Sequence, residues 1–144
     1  MKFEFTFKRG GVLQMTTLGA APKTASALKA EGAIDATVYQ ARWSGREMAI
    51  PVNFKQKPVR ENQSIRANIG DVIYFQEWGE NYDRTGFENI GIFYGAEIVR
   101  EWRGDAPVNV FGRIDPNQYD LLREIGERVW RQGGESIVIR LVED

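Results

Sequence analysis

Arg42 and Glu47 flank a Ser44-Gly45 turn between two extended runs, Thr37–Trp43 and Arg46–Val52, and each carries a group able to do chemistry. A guanidinium presents a fork of donors that matches a small carboxylate, with neighbouring apolar side chains to hold the rest of a ligand. A carboxylate turned inward acts as a base or as a partner for a cationic group. Each residue also has a plainer reading. Arg42 in mid-strand can lay its aliphatic stem over Trp43, and Glu47 can be a solvated strand carboxylate. Other chemistry is absent. With no histidine and no cysteine in 144 residues, the chain has no Ser-His-Asp triad, imidazole or thiolate metal site, cysteine nucleophile or disulfide. Ser26-Ala27-Leu28-Lys29 fits Ser-x-x-Lys, but the companion motifs of penicilloyl-serine enzymes are missing and the chain is too short for their fold. The carboxylates of the 77–88 stretch do not follow the Asp-x-Asp-x-Asp-Gly order of a calcium loop. No metal and no cofactor is expected.

The elements that must position these residues are mostly short strands. Phe3, Phe5 and Phe7 alternate with polar residues within Met1–Arg9, Gly10-Gly11 turns the chain, and Val12–Leu18 resumes an extended pattern. Pro22 in a first helical turn, Ala25 and Leu28 on one face and Gly32 as a stop predict a helix over roughly residues 22–31. Asp71–Gln76, Ile90–Tyr94, Val108–Ile114 and Ser136–Val142 are further β-rich runs. A second helix has Asp115 as its N-cap, Pro116 first, Gln118 in the reciprocal capping place and an apolar stripe of Leu122, Ile125 and Val129, ending at Gly133-Gly134. About eight strands and two helices predict a mainly β fold, a closed antiparallel barrel with helices covering its ends, since closure leaves no exposed edge. Residues 1–144 are expected to form one domain. The long stretch 77–88, rich in glycine, aromatics and acids, reads either as a loop that closes over a ligand or as a solvated connection packed on the barrel.

Composition narrows the partners. Nineteen basic residues balance 20 acidic ones, so the charge that drives sequence-independent nucleic-acid or anionic-membrane binding is missing. No apolar run approaches the length of a membrane span, and the N-terminal alternation is that of a strand, not of a signal peptide. A cytoplasmic protein that binds neither nucleic acid nor membrane is expected.

Order and spacing of several tracts resemble the cyclophilins, the peptidyl-prolyl isomerases. Glu101-Trp102-Arg103-Gly104-Asp105 running into Val110-Phe111-Gly112-Arg113-Ile114 resembles their late barrel segment, and Ala21-Pro22-Lys23-Thr24-Ala25 resembles the entry to their first helix. Tyr39-Gln40-Ala41-Arg42-Trp43 lies where the family has Phe-His-Arg-Val, Asn89-Ile90-Gly91-Ile92-Phe93-Tyr94 is similar to Gly-Ser-Gln-Phe-Phe-Ile, and Gly134–Ile139 resembles the last strand. The chain departs from the family at Glu47, where a pocket phenylalanine is expected, at Ile50 in place of a glutamine, and at Pro107–Val110, which lacks a pocket histidine. The resemblance is therefore to bacterial cyclophilin-like proteins of unassigned function.

The resemblance implies a cyclophilin-like barrel with Arg42 as the catalytic arginine and Met48, Phe93 and Trp102, with Glu47 at the altered position, contacting the ligand. Two functions follow. One is a barrel that binds a small molecule or short peptide through an arginine and aromatic residues. The other is a prolyl isomerase, in which Arg42 donates to the prolyl nitrogen as its lone pair localises in the twisted state while Met48, Phe93 and Trp102 hold the ring. A homo-oligomeric role is a third reading, for which an exposed Trp78 or Trp130 would be the sign.

Overall fold

The computed structural model describes residues 1–78 and 87–144. Eight strands form the barrel: β1 (Lys2–Phe7), β2 (Val12–Thr17), β3 (Ile34–Gln40), β4 (Glu47–Val52), β5 (Asp71–Gln76), β6 (Glu88–Phe93), β7 (Val108–Ile114) and β8 (Glu135–Glu143). Around the barrel the order is β2-β1-β8-β3-β4-β6-β5-β7, and β7 pairs back onto β2 through Ile114 opposite Met15 and Gly112 opposite Thr17. Every ladder is antiparallel. The fold is thus the closed, mainly β barrel with two helices that the spacing of short β-rich runs predicts.

Strand alternation fills the interior. Phe3, Phe5 and Phe7 of β1, Leu13 and Met15 of β2, Met48 and Ile50 of β4, Val72 and Tyr74 of β5, Ile90 and Ile92 of β6, and Ile137 and Ile139 of β8 belong to one buried cluster, with Val38 and Phe111 completing it from β3 and β7. Helix α1 (Pro22–Ala30) adds Ala27 and Leu28 to that cluster, and α2 (Tyr119–Gln132) adds Leu122, Ile125 and Val129. The first turn needs Gly10 and Gly11, at φ of 119° and 101°, and a Cβ on Gly11 would meet Ile125 of α2 at 2.7 Å.

The entrance to α2 differs from the expected capping box. A 3₁₀ turn over Pro116–Gln118 precedes the helix, and neither Asp115 nor Gln118 caps through its side chain. Gln118 is used instead to fasten β2: its Oε1 accepts the Gln14 N–H (2.7 Å) and its Nε2 donates to the Val12 carbonyl (2.9 Å). Bonding to a neighbouring strand end outcompetes the local cap because it satisfies two backbone groups at once.

A second, smaller apolar cluster lies on the outer face of β5, β6 and β7. Ile73, Phe93, Val108 and Val110 project there and are covered by Ala67, Val99 and Ala106 from the connections that leave the barrel. Those connections form short ladders of their own, Arg66–Ala67 with Glu97–Ile98 and Arg100–Glu101 with Gly104–Asp105. Asn109, fully buried, ties the 59–63 segment to β7: its Nδ2 donates to Val59 O and Thr24 Oγ1, and its Oδ1 accepts from Glu61 N and Gln63 Nε2. Within the Pro107–Val110 tract Asn109 is therefore a structural pin.

Candidate functional site

The parity of β4 decides what faces the site. Successive strand residues point to opposite faces, so Met48 and Ile50 enter the barrel interior while Glu47 and Ala49 face outward. On the adjacent β6, Asn89, Gly91 and Phe93 share that outer face, opposite Pro51, Ala49 and Glu47 respectively. From β5, Ile73 pairs with Gly91 and Phe75 with Asn89. The covering connection supplies Val99, Arg100 and Glu101. Between this sheet face and its cover lies a cavity of about 210 Å³, with Ile73, Phe75, Val99 and Ala49 among its walls and Phe87 and Trp43 at its sides. Phe75 and Phe87 have ring centroids 6.1 Å apart.

Arg42 lies in the 41–46 connection between β3 and β4, not in mid-strand as the alternation predicts, because β3 ends at Gln40. That connection is pinned to the covering segment. Ser44 Oγ accepts the Arg100 N–H (2.8 Å) and donates to the Arg100 carbonyl (2.9 Å), and Arg46 Nε pairs with Glu97 at 2.7 Å. Gly45, at φ 71°, passes so close to Glu97 that a Cβ would lie 2.8 Å from it. With both flanks of the turn held, Arg42 stands on the rim without an ion pair or hydrogen bond to any described residue. It also borders a second, more open cavity of about 590 Å³ shared with Arg46, Tyr94, Glu127 and Trp130.

Glu47 is the unusual group inside. Only 5% of it is exposed, and it makes no ion pair with a described residue. Gly91 gives it room: a Cβ on that glycine would lie 2.0 Å from Glu47 Oε2. Burial pushes the carboxyl up to about 8, with a hydrogen bond to Ser44 pulling the other way. Ser44 has one hydroxyl hydrogen and the Arg100 carbonyl competes for it, which keeps the opposing pull small. Asn89, 7% exposed, lines the same cavity, and its side-chain amide bonds to no described residue. At the outer end, burial and the nearby Glu77 raise the Glu101 carboxyl, while Arg103 bonds it through Nη2 at 2.6 Å.

Of the five residues marked by sequence, the structure brings Arg42 and Glu47 to one cavity. Phe93 shares the face of Glu47 and is its cross-strand partner, but it is fully buried in the outer cluster and does not line the cavity. Met48 is fully buried in the barrel interior, on the opposite side of the strand. Trp102 sits at the tip of the 100–105 hairpin, 57% exposed, with the Arg103 guanidinium 5.3 Å from its ring centroid. Asn89, Phe75 and Val99 were not singled out by sequence. The alternation of Asn89, Gly91 and Phe93 opposite Glu47 was the available signal, and it becomes readable only once β4 and β6 are known to be neighbours. Of the predicted 77–88 loop, residues 79–86 lie outside the described residues; Trp78 is half-buried against Tyr74, and Trp130 is 57% exposed. Among the described residues no group of three side chains is placed to hold a metal ion, and no helix is long and apolar enough to cross a membrane.

Residues 8–141 match the model of a family described as a protein of unknown function, DUF3830. No curated protein matches the sequence. Among solved structures, McbB in complex with tryptophan superposes with a TM-score of 0.73 at 15% identity, over 99% of this chain and 46% of McbB. The hypothetical protein AF2241 from Archaeoglobus fulgidus, a solution structure, gives 0.62 at 21% identity over 99% of this chain and 95% of that one. The chain thus spans less than half of McbB and nearly all of AF2241. At these identities the likeness is one of fold.

Proposed function

The chain belongs to the DUF3830 family, whose function is unassigned, and we propose that this member binds a small molecule or short peptide that carries a carboxylate on an apolar body. The observation that carries this reading is the guanidinium of Arg42, which pairs with no described residue, on the rim of a cavity whose walls are aromatic and aliphatic. A free arginine fork offers bidentate recognition of a carboxylate, and Trp43, Phe75 and Phe87 offer flat apolar surface for the remainder. At about 210 Å³ the cavity is smaller than the roughly 300–1,000 Å³ typical for drug-sized ligands, which favours a small acid or a single side chain of a peptide.

The prolyl isomerase reading has less support. It needs Met48, Phe93 and Trp102 around the same ring as Arg42, and these three lie respectively in the interior, beneath the cavity and at an exposed hairpin tip.

Tryptophan, the molecule in the McbB complex, is one aromatic carboxylate and serves as a first probe. Backbone-amide NMR titration tests the reading. Shifts gathered at Ala41–Trp43, Ala49 and Val99 support it, while shifts gathered at α1 or at the β8 end contradict it. Proline-peptide isomerisation at the uncatalysed rate in both wild type and Arg42→Ala leaves binding as the function.

A further inference from the structure

Resting on that binding reading, we propose that the cavity is a proton-transfer site for small 2-oxo carboxylates. In it Glu47 takes a proton from the carbon beside the carbonyl, Asn89 donates a hydrogen bond to the oxygen on which charge develops, and Arg42 holds the carboxylate.

A carboxyl in an apolar wall has a large desolvation cost, which neighbouring ions or hydrogen bonds usually offset. Glu47 has no ion-pair partner among the described residues, yet it is 5% exposed and faces a cavity with Ala49, Ile73, Phe75 and Val99 around it. Gly91 makes the placement possible, since its missing side chain is the space that Oε2 fills. The next residue outward on the same face is Asn89. Same-face residues along a strand are roughly 6–7 Å apart, so a carboxyl over Gly91 and an amide at Asn89 bracket a space that suits one carbonyl and its neighbouring carbon. Among the described residues the Asn89 amide has no hydrogen-bond partner and Glu47 has only the Ser44 hydroxyl that the Arg100 carbonyl also claims, whereas the fully buried Asn109 spends its capacity on structure.

The step balances without a co-reactant. The C–H electron pair becomes the C=C bond, the carbonyl π pair moves to oxygen, and the proton rests on Glu47. Returning it to oxygen gives the enol, and returning it to carbon regenerates the ketone. Burial that brings the carboxyl to about 8 makes it a stronger base than an ordinary glutamate while leaving part of it ionised near neutral pH. Among the described residues the other charged groups facing the cavity are Arg42 from the turn and Arg100 and Glu101 from the covering hairpin; Glu101 is engaged by Arg103 and Arg100 lies 3.7 Å from Asp105.

The test is exchange of the C3 protons of phenylpyruvate in D₂O, followed by ¹H NMR, with binding of the same compound measured by saturation transfer. Wild type is expected to exceed the buffer rate, with an apparent inflection near pH 8. Glu47→Gln is expected to bind phenylpyruvate but to lose about 10²-fold or more of the catalysed rate, and Asn89→Ala about 10²-fold. The one-dimensional spectrum of each variant reports its folding. Phenylpyruvate bound by wild type but exchanging at the buffer rate, or equally fast with Glu47→Gln, overturns the proton-transfer proposal and leaves the binding reading intact. No binding to wild type contradicts the binding reading itself.

Discussion

Glu47 Oε2 and Gly91 are packed so closely across the β4–β6 ladder that a Cβ on the glycine would lie 2.0 Å from the carboxyl oxygen and 2.9 Å from Ile73 Cδ1. The carboxyl and the absent side chain share one space. Gly91→Ala is therefore expected to push the carboxyl into the cavity. Overpacking of this kind costs about 1–3 kcal/mol, visible in urea unfolding, and the narrowed cavity weakens ligand binding in parallel. An alanine variant with wild-type stability and affinity would show that the two positions are not in contact.

The raised carboxyl of Glu47 makes stability depend on pH. In the unfolded chain it titrates near 4.5 and in the folded protein near 8, so between those values the folded state binds the extra proton. Its contribution is fully present below 4.5 and declines as pH rises to about 8, with a limiting slope of about 1.4 kcal/mol per pH unit. Glu47→Gln should flatten that decline and be the more stable form at pH 9. Urea midpoints taken from pH 5 to 9 measure it, and parallel curves for the two proteins would refute the assignment.

The barrel and its eight strands were legible because alternation of the Phe3-Phe5-Phe7 kind and glycine turns are local signals. The cavity was only half legible. Its rim arginine and its glutamate stand close together in the chain, but the face each presents depends on where β3 ends and on the parity of β4. Placing the pair through a pattern with Met48 puts that methionine on the ligand side; the pleat turns it inward, where the interior has space for a long apolar side chain. Asn89 and Gly91 come from a strand that adjoins β4 only through a non-local ladder, a contact that no local spacing encodes. Trp102 follows Glu101 in sequence, yet the tight 100–105 hairpin carries it past the cavity.

Glu135 joins three elements at the start of β8. It receives Arg128 Nη2 at 2.6 Å from α2 and Arg9 Nε at 2.5 Å from the first turn. Burial raises its carboxyl, but the bonds and charges of the two arginines outweigh that and hold it below its ordinary value. The sign is opposite to that of Glu47: this contribution is present above about 4.5 and is lost as pH falls through the depressed folded value. Glu135→Gln is expected to lower stability at pH 7 by about 1.5–3 kcal/mol and to remove part of the acid limb of the stability curve.

Glu88, on the neighbouring β6, is also a buried carboxylate, and unlike Glu47 it is satisfied. Lys57 Nζ, the Tyr74 hydroxyl and the Phe54 N–H all reach it. Tyr74→Phe removes one donor and is expected to cost about 0.5–1.5 kcal/mol. Glu88→Ala, which strands the Phe54 N–H and leaves the buried Tyr74 hydroxyl only the long 3.4 Å bond to Gln76 Oε1, is expected to cost more. Equal unfolding midpoints for the two variants would show that the tyrosine carries the network.

On the proposed reading Arg42 recognises a carboxylate at the mouth of this cavity. Calorimetric titration of phenylpropionate and of its uncharged amide, into wild type and Arg42→Ala, tests it most directly. Wild type should bind the acid at least about tenfold more tightly than the amide, a difference of about 1.4 kcal/mol, and Arg42→Ala should bind both equally weakly. Equal affinities of wild type for acid and amide, or an acid preference that survives in Arg42→Ala, would contradict the account.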